Sequence, residues 1–132
     1  MIAQYSLWIA AHPADGRLPR ALNGRCWARA LMGRDLDKAL ADCNAALKMD
    51  AKSPTALDSR GLVRLRLGDL DKSIADYDVA LTLRPGSAWS LYGRGLAELA
   101  KGMKAQGDAD IAAAVALDPH VADELAKHGV KP

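Results

Sequence analysis

The sequence predicts an all-α fold, an α-solenoid of three antiparallel helical hairpins with an extra N-terminal helix and a C-terminal capping helix. The main observation is a repeat, because "DLDKALADCNAAL" from Asp35 is nearly spelled again as "DLDKSIADYDVAL" from Asp69, 34 positions later. Self-similarity at such a period is typical of stacked supersecondary units. The chain also contains no Phe and is rich in Ala and Leu, a composition that suits closely packed helices better than a sheet.

Three units follow from this offset, and four sets of equivalent positions support them. We place the N-terminal helix and linker at 1–19, the units at 20–53, 54–87 and 88–119, and the capping helix at 120–132. The equivalent residues are Asp42, Asp76 and Asp110; Ala46, Ala80 and Ala114; Gly61 and Gly95; and Pro85 and Pro119.

Each unit is predicted to contain two helices, and the second unit shows this most clearly. Pro54 suits the first turn of a helix, where its missing N–H is harmless. Gly68 interrupts the pattern, and Asp69 then starts a second helix whose N-terminal dipole favours a carboxylate. Pro85 ends this helix. The linkers are short enough only for antiparallel neighbours.

The two ends fit the same scheme. "HVADELAKHG" is amphipathic, with Val121 and Leu125 on one side and Gly129 as a stop, so it is predicted to cap the last unit. "IAQYSLWIAAHP" looks like a second helix that lacks its own first helix. Either this segment is an improvised N-terminal cap, or the chain is the C-terminal piece of a longer protein.

A helix–turn–helix unit of this length resembles the tetratricopeptide repeat, over most of the chain. That repeat places a small residue in each helix so that the pair can approach closely. Gly61 and Gly95 supply it in the first helix, and Ala39 and Ser73 in the second. In the first unit this alignment puts Trp27 in the small-residue position and Ala51 in place of the exit proline. The aromatic position of the second helix holds Cys43, Tyr77 and Ile111.

The sequence shows no arrangement for catalysis, so we expect no enzyme, no cofactor and no metal site. His12, His120 and His128 have no carboxylate or cysteine partner at metal-ligand spacing, and no serine lies in a nucleophile motif. Cys26 and Cys43 lie on facing helices of the first unit. We expect two buried free thiols there, and a disulfide or a reactive pair is the alternative.

Charge and hydropathy limit the partners. The 18 basic and 16 acidic residues are scattered and leave a net charge of +2, so we expect neither nucleic-acid nor membrane binding. No signal peptide is evident, and the expected compartment is the cytoplasm. A homo-oligomer is possible.

One polar pattern recurs along the units. Arg60 and Arg94 are equivalent, as are Asp42, Asp76 and Asp110, and both types lie next to small core residues. We expect an Arg–Asp ladder that bridges neighbouring helices; the alternative is solvated surface charge. Such a ladder would contribute registration more than net stability.

The resemblance implies a concave groove lined by the first helix of each unit, which holds a peptide or helix of a partner protein. The groove residues carried over from it are Asp58, Leu62, Leu65, Arg66, Trp89, Tyr92, Leu96 and Leu99. Bulky aromatic side chains on an open face are typical binding anchors. The alternative is that these side chains pack against the terminal elements.

One subgroup of such proteins grips a C-terminal carboxylate with Lys and Asn on the first helices. The corresponding positions hold Gly24, Ala28, Asp58, Leu62, Tyr92 and Leu96. We therefore expect an apolar or mixed partner rather than an acidic one. The predicted function is a protein–protein interaction scaffold; the alternative is a structural or self-associating accessory module of a larger polypeptide or enzyme.

Overall fold

The computed structural model of the protein describes residues 1–132 as eight α-helices without a strand, as the sequence predicts. None of these helices combines the length and apolar character needed to cross a membrane. The helices are α1 (Ile2–Ala11), α2 (Leu18–Met32), α3 (Leu36–Met49), α4 (Pro54–Leu67), α5 (Leu70–Leu83), α6 (Ala88–Ala100), α7 (Lys104–Leu117) and α8 (Val121–Ala126).

Three hairpins stack in order along the chain, which confirms the predicted solenoid. They are α2 with α3, α4 with α5, and α6 with α7. The first helices of the hairpins also pack side by side, α2 against α4 and α4 against α6, and so form one continuous face. Two boundaries differ from the prediction: α2 begins at Leu18, inside the segment assigned to the linker, and α8 spans only six residues.

Capping residues explain where the middle helices begin and end. The Oγ atoms of Ser53 and Ser87 accept hydrogen bonds from the backbone N–H groups of Ala56 (3.2 Å) and Ser90 (3.3 Å). Each bond satisfies a donor that the first turn of a helix leaves free. Gly68 ends α4 with φ +82°, a left-handed conformation that glycine adopts without strain.

Tyr77 shows why the units need small residues. Its ring lies against Gly61 of its own hairpin and against Gly93 of the next, and a Cβ atom at either glycine would fall 2.8 Å or 2.3 Å from the ring. Real side chains do not approach so closely, so the two glycines fix how tightly α5 packs between α4 and α6.

The first unit is one residue longer than the others, which corrects the alignment of its first helix. The turn between α2 and α3 contains Gly33, Arg34 and Asp35, whereas Gly68 and Asp69 suffice between α4 and α5. Asp35 takes φ +50°, which few non-glycine residues adopt. Cys26, not Trp27, therefore occupies the position of Gly61.

Cys26 and Cys43 are joined by a disulfide, so the expectation of two free thiols is wrong. Their Cα atoms are 5.6 Å apart and both residues are fully buried. The physical reason is the corrected alignment: Cys26 stands at the close-approach position of α2 and Cys43 at the position of Tyr77. This spacing of the backbones suits a disulfide, which replaces the contact between the tyrosine ring and glycine.

The predicted Arg–Asp ladder is confirmed. Arg60 donates two hydrogen bonds to Asp76 (2.9 and 2.7 Å), and Arg94 donates two to Asp110 (2.7 and 3.0 Å). In the first unit Arg25 likewise donates two hydrogen bonds to Asp42 (2.8 and 2.7 Å). Each aspartate lies on the second helix of the same unit, so the ladder ties each hairpin together.

Each of these arginines also reaches back to the preceding second helix. Arg60 donates to Asn44 of α3 (3.0 Å), and Arg94 donates to Asp78 of α5 (3.0 Å). Arg25 donates to Ser6 of α1 (3.1 Å). The N-terminal helix α1 therefore occupies the place of a preceding second helix, as its sequence predicts.

Glu98 is the exception in the ladder. It takes the position of Arg64, which donates to Asp76 in the second unit (2.9 Å). Glu98 is only 6% exposed and its Oε1 has no hydrogen-bond partner. Burial, reinforced by the neighbouring Asp110, raises the pKa of Glu98 to about 7. Burial also acts to raise the pKa of Asp110, but hydrogen bonds from Arg94 and Glu98 outweigh it and lower that pKa.

Candidate functional site

The face formed by α2, α4 and α6 carries two cavities, and six of the eight predicted groove residues line them. Asp58 and Trp89 line a cavity of about 480 Å³, which we call the tryptophan cavity. A second cavity of about 490 Å³ lies farther along the same face. Its wall includes the predicted residues Leu65, Arg66, Leu96 and Leu99, together with residues 129–132 of the chain itself.

The C-terminal segment covers part of the predicted groove. Val121, Leu125 and Val130 belong to the same buried cluster as Leu62, Tyr92 and Leu96. Tyr92 is 3% exposed and Leu96 is 5% exposed. The expectation that Tyr92 and Leu96 present apolar surface to a partner is therefore wrong, because the chain's own terminal residues bury these side chains.

Arg66, another predicted groove residue, holds this segment in place. Its Nη1 donates to the backbone oxygens of His128 (3.1 Å), Ala30 (3.2 Å) and Leu31 (3.0 Å). The last two oxygens lie in the final turn of α2. Because carbonyl groups at a helix end lack partners within the helix, a guanidinium there is favourable. Arg66 thus ties α4 to α2 and to the C-terminal segment.

Two tryptophans form a wall of the tryptophan cavity. The rings of Trp27 on α2 and Trp89 on α6 pack edge to face, with centroids 5.6 Å apart and planes inclined by 81°. Both side chains are partly buried and pack against the core. The remaining lining comes from α2, α4, the loop before α6, and the C-terminal region: Asn23, Gly24, Leu31, Thr55, Asp58, Ser59, Arg84, Ser87, Glu124 and His128.

Sequence reasoning missed Trp27 and Asn23 as groove residues. The alignment placed Gly24 and Ala28 at the positions of Asp58 and Leu62, but the extra residue in the first unit moves Asn23 and Trp27 there. Ala28 is fully buried and does not line the cavity. Aligning Gly33 with Gly68, rather than Asp35 with Asp69, gives the correct positions.

Asp58 is a buried carboxylate without a cationic partner. It is 9% exposed, and its Oδ1 accepts a hydrogen bond from the Ser90 hydroxyl. Burial raises the pKa of Asp58 to about 6, while the bond from Ser90 and the charge of Arg84 act in the opposite direction. Arg84 is an exposed residue of the same cavity and forms no ion pair with Asp58.

No group of three His, Cys, Asp or Glu side chains is placed to hold a metal ion. His12 bonds the backbone oxygen of Trp8 (2.8 Å) and stacks on its ring. His128 lines the tryptophan cavity as an exposed residue. For a partner molecule, this face offers indole surfaces, a carboxylate and exposed polar groups.

Comparison with known proteins gives structural matches only. No known protein-family profile matches the sequence, and no curated protein sequence matches it either. The first tetratricopeptide domain of Spaghetti (RPAP3), solved with the HSP90 peptide SRMEEVD, superposes with a TM-score of 0.72 at 19% identity, covering 87% of this chain and 93% of that one.

Two further structures agree with this match. The first tetratricopeptide domain of human RPAP3 gives a TM-score of 0.73 at 19% identity, covering 87% of this chain and 92% of that one. A tetratricopeptide-repeat protein from Parabacteroides merdae gives 0.71 at 22% identity, covering 89% of this chain and 46% of that one. With its three stacked hairpins, its glycine contacts and these superpositions, the chain has the tetratricopeptide-repeat fold.

Proposed function

We propose that the protein is an interaction scaffold that holds a segment of a partner protein against its concave face, at the tryptophan cavity. The observation that carries this proposal is the open cavity of about 480 Å³ between Trp27, Asp58 and Trp89. Tryptophans are over-represented among residues that dominate binding energy. Concave sites with a few placed polar groups are the usual shape of a binding site.

The rest of the groove is partly covered, so the site that is open to a partner is short. The C-terminal segment already covers Leu62, Tyr92 and Leu96, and Arg66 is bonded to that segment. A partner segment therefore gains most from the tryptophan cavity. The HSP90 peptide named with the RPAP3 domain ends in Glu-Glu-Val-Asp, whereas the carboxylate of Asp58, which has no cationic partner, lines the cavity in this chain.

A peptide selection tests this function. Phage-displayed random peptides are selected on the intact chain, and the enriched peptides are titrated against Trp89→Ala and against Val79→Ala as control. Val79 is exposed on α5 and lines neither cavity. We expect Trp89→Ala to weaken binding by roughly 2 kcal/mol or more, with Val79→Ala unchanged.

Because Trp89 also packs against the core, a second variant keeps the test interpretable. Thr55 is an exposed residue of the cavity wall, so Thr55→Arg fills the cavity without disturbing the core. Binding that survives both Trp89→Ala and Thr55→Arg, with thermal melts confirming the fold, contradicts the proposed function.

Self-association is the second candidate, and the apolar ends of the solenoid favour it. Leu7 on α1 is 74% exposed, and Leu117 at the end of α7 is 56% exposed. End-to-end stacking of two copies would cover both. The molecular mass in solution, measured over a range of concentrations with the wild type and with Leu7→Lys, tests this candidate.

A further inference from the structure

We propose that the tryptophan cavity binds a basic side chain, lysine or arginine, of the partner segment, with Asp58 as the counter-ion and the indoles of Trp27 and Trp89 as walls. The inference rests on the proposed function and specifies the chemistry of the partner. Four features of the cavity carry it: a carboxylate without a cation, an amide oxygen without a donor, two aromatic walls, and the charges at the rim.

The first feature is the unpaired carboxylate. Carboxylates are almost never buried unless they are paired, because desolvation of an isolated charge is expensive. The three ladder carboxylates illustrate the usual solution, since Asp42, Asp76 and Asp110 each accept hydrogen bonds from an arginine. Asp58 is comparably buried and accepts only from a serine. A cation bound in the cavity would give Asp58 the partner that this chain does not supply.

A second acceptor lies in the same wall. The Oδ1 atom of Asn23 is buried and accepts no hydrogen bond from the protein. Lysine and arginine side chains carry only donors, three on the ammonium and five on the guanidinium. A cavity wall with a carboxylate that lacks a cation and an amide oxygen that lacks a donor therefore suits these groups.

The aromatic walls favour the same ligand. A cation near an indole face is attracted by the negative potential of the ring. The chain makes one such contact itself, because the guanidinium carbon of Arg17 lies 5.4 Å from the ring centroid of Trp8. In the tryptophan cavity the two indole planes are nearly perpendicular, so they can flank a side chain from two directions. The aliphatic stem of lysine or arginine also covers apolar surface.

The rim carries charges of both signs. Glu124 and Arg84 are both exposed and both line the cavity, so their charges offset each other. Asp58 then leaves the cavity with a net negative charge. Arg84 is the intramolecular competitor for this site, because it lines the same cavity and its positive charge acts on Asp58.

The direct test is a titration with small probes followed by NMR. The intact ¹⁵N-labelled chain is titrated with the N-acetyl methylamides of lysine, arginine, norleucine and glutamate, and the indole N–H signals of Trp8, Trp27 and Trp89 are followed. Norleucine is the lysine side chain without its ammonium group. We expect lysine or arginine to shift Trp27 and Trp89 saturably, with affinity about tenfold above norleucine and glutamate.

Two variants with the same change in charge sharpen the test. Asp58→Asn keeps the acceptor for the Ser90 hydroxyl and removes the charge, so we expect an unchanged or higher melting temperature together with about tenfold weaker binding of the cationic probe. Asp37→Asn on the exposed surface of α3 is the control and should bind as the wild type does. Arg84→Gln should bind the cationic probe more tightly, because it removes the competitor.

Each contrary outcome overturns the inference. If norleucine binds as tightly as lysine, the cavity recognises apolar surface and not charge. If Asp58→Asn binds the cationic probe as tightly as the wild type does, Asp58 is not the counter-ion. If the signals of Trp27 and Trp89 show no saturable shift, the cavity does not bind these probes. Failure of the proposed function looks different: a lysine probe could bind while no peptide is selected, whereas selected peptides without basic residues keep the scaffold function and exclude this cation site.

Discussion

At the scale of single residues, the ladder arginines do more than close one ion pair. Arg94 joins three helices, since it donates to Asp110 on α7 and to Asp78 on α5 from its own position on α6. The planar guanidinium suits such bridging, because its donors point in fixed directions. The helix-to-helix geometry of the stack is therefore specified partly by polar contacts, whereas the apolar residues supply the driving force.

Arg94→Ala is expected to destabilise the fold by about 2 kcal/mol, because the variant leaves the partly buried Asp110 without its main donor. Urea unfolding of the variant and the wild type measures the loss. Lys104→Ala is the matched control, since Lys104 and Asp108 form an exposed pair, and exposed pairs contribute little to stability. If both variants lose the same unfolding free energy, Arg94 contributes no more than an exposed surface charge does.

Glu98 gives the ladder a pH dependence. Its pKa in the folded protein is about 7, above the ordinary value of 4.5, so the folded state binds a proton more tightly than the unfolded chain does. The stability that Glu98 contributes to the fold is therefore fully present below about pH 4.5 and is lost as the pH rises through about 7.

Glu98→Gln should remove this dependence. We expect the variant to become more stable than the wild type by about 1–3 kcal/mol as the pH is raised from about 5 to about 8. Asp58 is present in both proteins, so its own titration cancels in the comparison. Unfolding free energies at several pH values provide the measurement, and a difference independent of pH contradicts the assignment.

At the scale of elements, the sequence predicted most of the second and third units and misplaced the first helix of the first unit. The hairpins, the role of Gly61 and the ladder all followed from one fixed offset. That offset fails in α2, because the turn through Arg34 and the left-handed Asp35 adds a residue. A single insertion rotates a helix by about 100° relative to the expected register. Consequently Trp27 was assigned to a close contact, the disulfide was only the alternative to two free thiols, and Trp27 was not expected in the tryptophan wall.

The disulfide is expected to stabilise the first hairpin. Replacing both cysteines by alanine should cost about 3 kcal/mol, since the bond closes a loop of 17 residues in the unfolded chain. Thermal melts with and without a thiol reductant give the measurement. The wild type should become less stable on reduction, whereas the double variant should not respond. A wild-type melt that ignores an effective reductant shows that the bond contributes nothing.

At the scale of the whole molecule, the C-terminal segment sets how much of the concave face is open. The six-residue α8 and the residues after it reach from α7 back across α6 to Arg66 on α4. This path buries Leu62, Tyr92 and Leu96, which the sequence alone could not show because nothing in the repeat specifies where a tail folds. The segment is anchored by three apolar residues and one arginine, so it should detach more easily than any hairpin.

Val130→Asp tests this hierarchy. Val130 is 5% exposed, and an aspartate there cannot keep its charge hydrated unless the segment leaves the face. We expect the segment to detach while the hairpins stay folded, because the ladder and the glycine contacts do not involve it. The fluorescence of a hydrophobic dye such as ANS should then rise as Leu62, Tyr92 and Leu96 become accessible, with the helical circular dichroism largely kept. Val79→Asp, at an exposed position on α5, should leave the dye signal unchanged. A Val130→Asp protein that melts cooperatively at a much lower temperature without binding the dye would make the segment an integral part of the core.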